Sequence, residues 1–444
     1  MMTFRQNLIR ARGHFVFILG VIAGLALVMW LEQSSQTAAS LPRAEMANVL
    51  APIEDREPLP LAIRGKATAE DLENAAIAWT YFRNNTDRKT GLVNSVDGYP
   101  SITMWEAGSQ IVAIVSAERL GLIPADEAGD RLSAAFESLG KLPLFDDVLP
   151  NKAYDTRSLE MVDYTNKPSK QGLGWSALDM ARIVSALAIA RSAHPELAPA
   201  IAQVLDSWQL DRMVRDGQMY GTSVVDGEVR ENQEGRLGYE QYAAKAMMLL
   251  GYDMVRAYDP DDSAMIQPVS GQPVPVDTRL HRGSIPAFVV SEPYLFDGLE
   301  FGFDARSARI ASAVYQAQEM RYDETGHLTA VTETHLDEAP YFAYSTIWGG
   351  GAPWSVLTFK GERIDSRRTL ATKAAFGWNA LYGTPYTEEL VKAVKATADP
   401  EKGWSEGLYE EDGSTNKSIT ANTNALVLAA LAFKVDGPLL RHAR

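Results

Sequence analysis

The 444-residue chain contains no cysteine and only six histidines. Disulfide bonds and thiolate metal sites are therefore impossible, and the chain could sit in an oxidising compartment without mispaired thiols. The sequence also lacks the P-loop motif and the H-E-x-x-H motif. These absences argue against P-loop nucleotide hydrolysis and zinc proteolysis, and they predict a protein that uses no metal and no cofactor.

Positive charge is also scarce, because 57 acidic residues outnumber 42 basic ones and leave a net charge of −15. A nucleic-acid-binding protein needs basic patches that neutralise phosphates, so nucleic acid is not expected as a partner. The acidic balance fits a neutral or weakly charged ligand. The composition is otherwise that of a globular protein, with 46% apolar and 22% charged residues.

One long apolar run is present: residues 15–31 are uncharged and, as a helix, would nearly cross a bilayer core of roughly 30 Å. Three arginines lie in the preceding residues 1–14, and Glu32 follows the run. Since basic flanks stay in the cytoplasm, the pattern predicts a cytoplasmic tail, a single inner-membrane anchor in the lipid bilayer and a main domain in the periplasm. The alternative is a signal peptide cleaved near the small residues 37–39, which would release a secreted protein.

Residues 32–68 are rich in proline, alanine and serine and are predicted to form a linker to a folded domain. From residue 69 to residue 437, apolar residues recur with helical spacing and predict about ten helices and few strands. Residues 180–190 and 425–433 are apolar on almost every face, which is typical of helices buried on all sides. The sequence therefore predicts an all-α domain in which amphipathic outer helices surround buried inner ones. Seven of the helices are predicted at residues 126–139, 196–214, 239–250, 304–320, 366–382, 386–397 and 420–433.

Several sequence stretches resemble known protein families. Trp79-Thr-Tyr-Phe82 and the following Thr90-Gly-Leu-Val93 resemble the opening of glucoamylase-like six-hairpin domains. Residues 70–437 resemble a bacterial envelope family, domain of unknown function 3131. The resemblance implies an (α/α)6 toroid related in shape to β-1,2-glucanases and other six-hairpin glycosidases, with a site at the N-terminal ends of the inner helices. The stretches that carry the family resemblance are Trp105-Glu-Ala-Gly-Ser109, Trp175-Ser-Ala-Leu-Asp179, Glu234-Gly-Arg-Leu-Gly-Tyr-Glu-Gln-Tyr242, Gly407-Leu-Tyr-Glu410 and Asn422-Thr-Asn424.

Glycoside hydrolysis uses two carboxyl groups on opposite sides of the scissile bond. These groups lie roughly 6.5–9.5 Å apart in inverting enzymes, and one of them must stay protonated. Glu234 follows a predicted hairpin and is the first candidate for the general acid, although it could instead cap a helix or pair with Arg236. Asp179 is the second candidate, although it could instead complete a helix cap with Ser176 or pair with Arg182.

Glu106 and Glu410 are further candidate catalytic acids, because each lies beside an aromatic residue on which a sugar ring could stack. Glu333 and Asp337 are candidate catalytic bases. Amide side chains can hold sugar hydroxyl groups, although Asn at a helix start is first of all a cap. The candidate substrate-binding residues are Trp105, Trp175, Arg236, Tyr239, Glu240, Tyr409, Asn422 and Asn424.

Together, the residues and the resemblance favour an envelope protein that acts on an oligo- or polysaccharide, as an inverting glycoside hydrolase of a glucan or exopolysaccharide. Glu234 would serve as the acid and Asp179 would activate water. Two alternatives remain open. A polysaccharide lyase of the same fold would need cations that hold uronates, which the acidic chain disfavours. A non-catalytic glycan-binding or scaffold protein of a polysaccharide assembly system would suit a membrane tether equally well.

Overall fold

The computed structural model describes residues 50–281 and 285–441. The predicted cytoplasmic tail, the anchor at residues 15–31 and the first part of the linker lie outside the described residues. Among the helices that are described, none combines the length and the apolar character needed to span a membrane.

The first long helix begins at Ala69, but the second part of the predicted linker already contains a short helix at Ala51–Glu54, and Leu50 and Ile53 are buried in the core. The side chain of Thr68 accepts the backbone N–H of Asp71, while the Asp71 carboxylate accepts the backbone N–H of Thr68, so the first long helix starts with a reciprocal cap. The helices are α1 (Ala51–Glu54), α2 (Ala69–Asn85), α3 (Met104–Arg119), α4 (Ala125–Leu139), α5 (Ala177–Ala193), α6 (Ala198–Asp206), α7 (Tyr239–Met248), α8 (Val255–Tyr258), α9 (Glu292–Phe296), α10 (Ala305–Thr325), α11 (Thr372–Tyr382), α12 (Pro385–Val394) and α13 (Ala421–Asp436). Helix α9 continues into a π-helical turn, Asp297–Phe301.

Six of these helices form a closed inner ring. Helices α3, α5, α7, α9, α11 and α13 contact one another in that order, and α13 contacts α3. Each inner helix follows an outer helix in the chain, so α2 to α13 make six consecutive hairpins. The predicted (α/α)6 toroid is therefore confirmed, although the outer helix α8 is only four residues long.

The two helices predicted to be buried on all sides are both inner helices. In α13 every residue from Ala421 to Phe433 is buried, and in α5 most residues from Met180 to Ala190 are buried. An inner helix packs against two ring neighbours and the outer layer at once, which leaves no face for solvent. The sequence pattern, apolar on every face of the helix, therefore correctly predicted that these two helices are buried in the inner ring.

The prediction of an all-α domain is wrong in one respect, since many short antiparallel strands join the helices. Most of these strands contain two or three residues, too few to show alternation in the sequence. The strands are β1 (Ser101–Ile102), β2 (Leu144–Phe145), β3 (Leu149–Pro150), β4 (Tyr154–Asp155), β5 (Val214–Arg215), β6 (Gln218–Val225), β7 (Glu228–Glu234), β8 (Ala264–Val269), β9 (Gln272–Asp277), β10 (Leu280–His281), β11 (Ile285–Pro286), β12 (Glu333–His335), β13 (Phe342–Ser345), β14 (Trp348–Gly349), β15 (Ala352–Pro353), β16 (Val356–Leu357), β17 (Thr369–Ala371), β18 (Ala398–Asp399), β19 (Gly403–Tyr409) and β20 (Thr415–Ile419).

Two predicted helices are also shorter than expected. The helix predicted at 196–214 ends at Asp206, and β5 occupies its last residue. The helix predicted at 366–382 begins only at Thr372, because residues 369–371 form β17 and pair with β19. In each case tertiary pairing overrides a local apolar pattern.

The strands lie where the chain enters the inner helices. Strand β7 leads to α7, β17 runs directly into α11, and the β19–β20 hairpin leads to α13. The longest hairpin, β6–β7, turns at Asp226 and Gly227, both with positive φ, as the Asp-Gly dipeptide predicted. Gly174 has a φ of +102°, and a Cβ at this position would lie 2.4 Å from the carbonyl oxygen of Thr222. Glycine thus allows the segment before α5 to contact β6 closely, which brings the end of β7 to the start of α5.

Candidate active site

The N-terminal end of the inner ring, here called the mouth, collects polar side chains. The Asn422 amide donates to both oxygens of Glu292, at 3.0 and 3.1 Å, and the Ser109 hydroxyl donates to Asn422 Oδ1 at 2.9 Å. Lys373 forms an ion pair with Glu292. These contacts join helices α3, α9, α11 and α13. Each inner helix carries at least one charged or amide residue within its first three positions, and these residues are Glu106, Asp179, Glu240, Gln241, Glu292, Lys373 and Asn422.

Glu234 and Asp179, the two foremost catalytic candidates, both contact the hydroxyl group of Ser176. Ser176 is the N-cap of α5, and its Oγ lies 3.0 Å from Asp179 Oδ1 and 2.9 Å from Glu234 Oε1. The second Glu234 oxygen accepts the backbone N–H of Ala177 at 2.6 Å. A serine hydroxyl carries a single proton, so both contacts are hydrogen bonds only if one carboxyl group is protonated. The trio Asp179, Ser176 and Glu234 is therefore built to hold one acidic proton.

Asp179 is the member of the trio that holds this proton most strongly. Burial, together with the nearby charges of Glu234 and Glu106, raises its pKa to about 8. Burial also raises the pKa of Glu234, but the backbone N–H of Ala177 and the charge of Lys152 lower it. In addition, the start of α5 favours a negative charge at Glu234. At neutral pH we therefore assign the proton to Asp179 and the negative charge to Glu234.

The predicted division of roles, with Glu234 as acid and Asp179 as base, stays a prediction, but the raised pKa of Asp179 favours the opposite division. Both carboxyl oxygens lie about 3 Å from the Ser176 hydroxyl, so they are at most about 6 Å apart. This separation is shorter than the roughly 6.5–9.5 Å that lets an inverting pair enclose a sugar bond and a water molecule. A base for direct displacement must therefore come from another part of the mouth.

Glu106, Trp105 and Tyr239 lie beside this trio. Glu106 is buried, accepts hydrogen bonds from Thr103 and Ser95, and acts on Asp179 through its charge. Trp105 and Tyr239 are half-buried and their rings meet edge to face at 5.5 Å. The two rings lie at the starts of α3 and α7, the helices on either side of α5, and the substrate-binding role of these residues stays a prediction.

The opposite side of the mouth contains ionisable side chains, most of which were not predicted from the sequence. Glu333 and His335 project from β12, and Glu406 lies on β19. Burial raises the pKa values of Glu333 and Glu406, while the charge of Lys373 lowers both. Of these four residues only Glu333 was predicted as a candidate. Glu406 lies two residues from Trp404. The criterion that selected Glu106 and Glu410, an acidic residue close to an aromatic one, would also have selected Glu406.

Two of the predicted site residues have structural partners instead. Glu410 forms ion pairs with Arg321 and Arg368, and these charges keep its pKa below the usual range, which is unsuited to a general acid. The Tyr409 hydroxyl donates to Asp337 at 2.6 Å, and its ring is buried. The sequence could not show these pairs, because Arg321 is 89 residues away from Glu410.

Four predicted substrate-binding residues are engaged in holding the chain together. Trp175 is buried, and its indole N–H donates to the Tyr220 carbonyl at 3.1 Å. Glu240 is buried in an ion pair with Arg279, and Asn424 bonds both the N–H and the carbonyl of Trp404. The Arg236 guanidinium donates to Gln233 and to two backbone carbonyls. Polar groups that bond the backbone and neighbouring side chains in this way are typical of structural roles, although Nε of Arg236 is buried without a hydrogen-bond partner.

Serine-hydrolase chemistry and metal binding have little support in the described residues. Gly403-Trp-Ser-Glu-Gly407 matches the G-x-S-x-G spacing, but it lies within β19 with Ser405 buried, rather than at the strand-to-helix turn of a hydrolase elbow. Within residues 50–281 and 285–441, no group of three or more acidic or histidine side chains is arranged to hold a metal ion. A groove of about 690 Å³ lies away from the mouth, between α1, α8 and α10.

Known structures share this architecture. An endo-β-1,2-glucanase from Chitinophaga pinensis superposes with a TM-score of 0.60 at 10% identity, over 84% of this chain and 94% of that one. An endo-β-1,2-glucanase from Talaromyces funiculosus gives a TM-score of 0.54 at 10% identity, over 84% and 85%. A β-1,2-glucanase from Parabacteroides distasonis gives 0.58 at 13% identity, but the match spans only 56% of that chain and 82% of this one. These low identities establish the fold alone.

No curated protein matches the chain. The model of one protein family, described as protein of unknown function (DUF3131), matches residues 73–437. This match covers the toroid from its first outer helix to the end of α13, including every residue of the mouth. The chain therefore belongs to the DUF3131 family.

Proposed function

We propose that the protein is a glycoside hydrolase that acts on a glucan, with Asp179 as the general acid. The observation that carries this proposal is the position of Asp179, whose carboxyl group shares the Ser176 hydroxyl with Glu234 at the mouth of a six-hairpin toroid, where its pKa is raised to about 8. A carboxylic acid that stays protonated at neutral pH is what cleavage of a glycosidic bond requires. The similar glucanases add support, since one of them is in complex with sophorotriose and glucose and another with sophorose.

The proposed reaction is a direct displacement with inversion. Asp179 gives its proton to the glycosidic oxygen, the bond to the anomeric carbon breaks, and a water molecule attacks from the opposite face. Glu333 is the proposed base that takes the proton of this water. It is half-buried and lies near Lys373 of α11, the helix that faces α5 across the ring of six. Ser176 and Glu234 then hold Asp179 in place for the next proton.

We also propose that residues 15–31 anchor the enzyme in the inner membrane with the toroid in the periplasm. The support is the uncharged run with arginines on one side only. Fractionation of cells that express the full chain tests this location. Recovery of the intact chain in the membrane fraction, removable only by detergent, is expected. Recovery of a shortened soluble chain would instead favour the cleaved signal peptide.

The test of the activity uses the purified full-length chain and linear β-1,2-, β-1,3- and β-1,4-glucans. We expect new reducing ends from at least one of them, and β-1,2-glucan is the first substrate to try. If every glucan remained intact while one of them bound, the non-catalytic glycan-binding alternative would replace the hydrolase.

The pH dependence of hydrolysis should report the pKa of Asp179. Because the protonated form is the active one, kcat/KM should fall as the pH rises through about 8. The Glu234→Gln variant removes a charge that raises this pKa, so the falling limb of its residual activity should move to lower pH. Glu228→Gln, at the exposed start of the same strand β7, is the matched control and should leave the limb in place. An unchanged limb in Glu234→Gln would contradict the proposed coupling.

A further inference from the structure

A row of half-buried rings lies on one face of the β12–β13 sheet. The ring centroids of Phe288 and Tyr344 are 4.1 Å apart, those of Tyr344 and Phe342 are 5.2 Å apart, and those of Phe342 and His335 are 5.2 Å apart. All four side chains retain partly exposed surface. Half-buried rings in contact with one another form a continuous apolar strip rather than isolated surface residues.

Strand register places this strip on the same face as the proposed base. Glu333 pairs with Tyr344 and His335 pairs with Phe342, and side chains that are two residues apart on a strand share a face. The alternate residues, Thr334 and Ala343, are buried on the other face. The face that carries Glu333 and the rings is therefore the one turned away from the local core.

A hydrogen bond shows which part of the molecule this face meets. Thr332, directly before β12, accepts the backbone N–H of Glu292 at the start of α9, at 3.2 Å. His335 is influenced by the charges of Glu106, Lys373 and Glu292, which begin three different inner helices. Desolvation lowers its pKa, so the imidazole is neutral near pH 7. The strip consequently lies beside the N-terminal ends of the inner helices and does not add positive charge to the mouth.

The charges around the mouth restrict what can bind there. Several carboxyl groups surround it, and Lys373, the cation at the start of an inner helix, is buried in an ion pair with Glu292. A polyuronate would bring further negative charge into this field. An uncharged chain of sugar rings would meet no such repulsion, and its C–H faces could cover the apolar strip.

We propose that the strip Phe288, Tyr344, Phe342 and His335 is a binding wall for a linear, uncharged glycan that crosses the mouth. This inference rests on the proposed function for the location of the site, and it adds the substrate class and the residues that hold the chain. The rings stack on successive sugar faces and place the chain between Asp179 and Glu333. Binding by the strip does not itself require that the bound glycan be cleaved.

The test measures binding in the Asp179→Asn variant, so that hydrolysis does not consume the ligand. Calorimetric titration with a neutral β-1,2-glucan oligosaccharide is compared with titration by oligogalacturonate. Adding Phe342→Ala and Tyr344→Ala should weaken neutral-glycan binding at least tenfold, and the uronate should not bind. Tyr252→Ala is the control, because it removes a half-buried ring beyond the C-terminal end of α7 and should not change affinity. If the alanine variant does not fold, the double variant Phe342→Leu with Tyr344→Leu takes its place, because it keeps large apolar side chains without the rings.

The outcomes separate the binding wall from the hydrolase. Unchanged affinity in folded ring variants would overturn the wall, even if the wild type released reducing ends. Ring-dependent binding without any reducing ends would remove the hydrolase and leave the wall standing. Uronate that bound as tightly as the neutral oligosaccharide would overturn the proposed substrate class.

Discussion

Replacement of Asp179 by asparagine is expected to lower kcat for glucan hydrolysis by about 10³-fold, with little change in KM. Asparagine keeps the size of the side chain and can still bond the Ser176 hydroxyl, but it cannot donate a proton to the glycosidic oxygen. Loss of a general acid acts on the transition state and leaves substrate binding nearly intact, so the loss should appear in kcat. Initial rates of reducing-end release over a range of glucan concentrations would measure it.

The interpretation of this variant depends on a proper control. Asp130→Asn changes the same functional group on the exposed face of the outer helix α4, and it should retain wild-type kcat. Thermal unfolding of both variants checks that the fold is kept. An Asp179→Asn enzyme with more than a tenth of the wild-type kcat would show that the acid is elsewhere, and Glu234 would then be the next group to replace.

Replacement of Arg182 by methionine is expected to lower the free energy of unfolding by roughly 3–5 kcal/mol. Arg182 is completely buried in α5, and its Nη1 forms an ion pair with Glu300 Oε1 at 2.7 Å. Its guanidinium lies 4.3 Å from the centre of the Phe296 ring, and its Nη1 also donates to Tyr242. Without the arginine, the Glu300 carboxylate would remain in the centre of the ring with no opposite charge. Denaturant unfolding followed by circular dichroism would measure the loss.

A second substitution distinguishes an uncompensated charge from a packing defect. Glu300→Gln removes the negative charge but can still accept the hydroxyl donors of Ser185 and Tyr242, which now bond Glu300 Oε2. The double variant Arg182→Met with Glu300→Gln should therefore be clearly more stable than Arg182→Met alone. If both unfolded at the same denaturant concentration, the loss would come from packing around Phe296 instead. Lys141→Met breaks an exposed pair with Glu137 and should leave stability unchanged within error.

The buried position of Arg182 also affects the candidate active site. Arg182 lies under Trp105, 6.0 Å from its ring, and one turn beyond Asp179 in α5. The alternative interpretation, in which Asp179 pairs with Arg182, is not what the structure shows, because Arg182 pairs with Glu300, 118 residues further along the chain. The carboxyl group of Asp179 therefore has no ion pair with Arg182 that would lower its pKa.

The amino-acid sequence by itself determined the burial of two inner helices. The apolar circumference of residues 180–190 and 425–433 identified these helices, because a helix that is apolar on every face has no stable position at a surface. The sequence also indicated Asp179 near a helix start, where local composition is enough to place a residue at one end of an element. The Asp226–Gly227 turn was equally readable, since its backbone conformation is a local property.

The tertiary structure determined the environment of each candidate carboxyl group and of the strip of rings. Whether Asp179 or Glu234 holds the proton depends on burial and on charges from α3, β7 and the segment that contains Lys152, and none of these is local in sequence. The same is true of Glu410, which two distant arginines neutralise, and of the strip of rings, which forms only when β12, β13 and Phe288 come together. Helical periodicity reports what one segment buries, whereas a pKa and a binding face arise from segments that meet only when the ring closes.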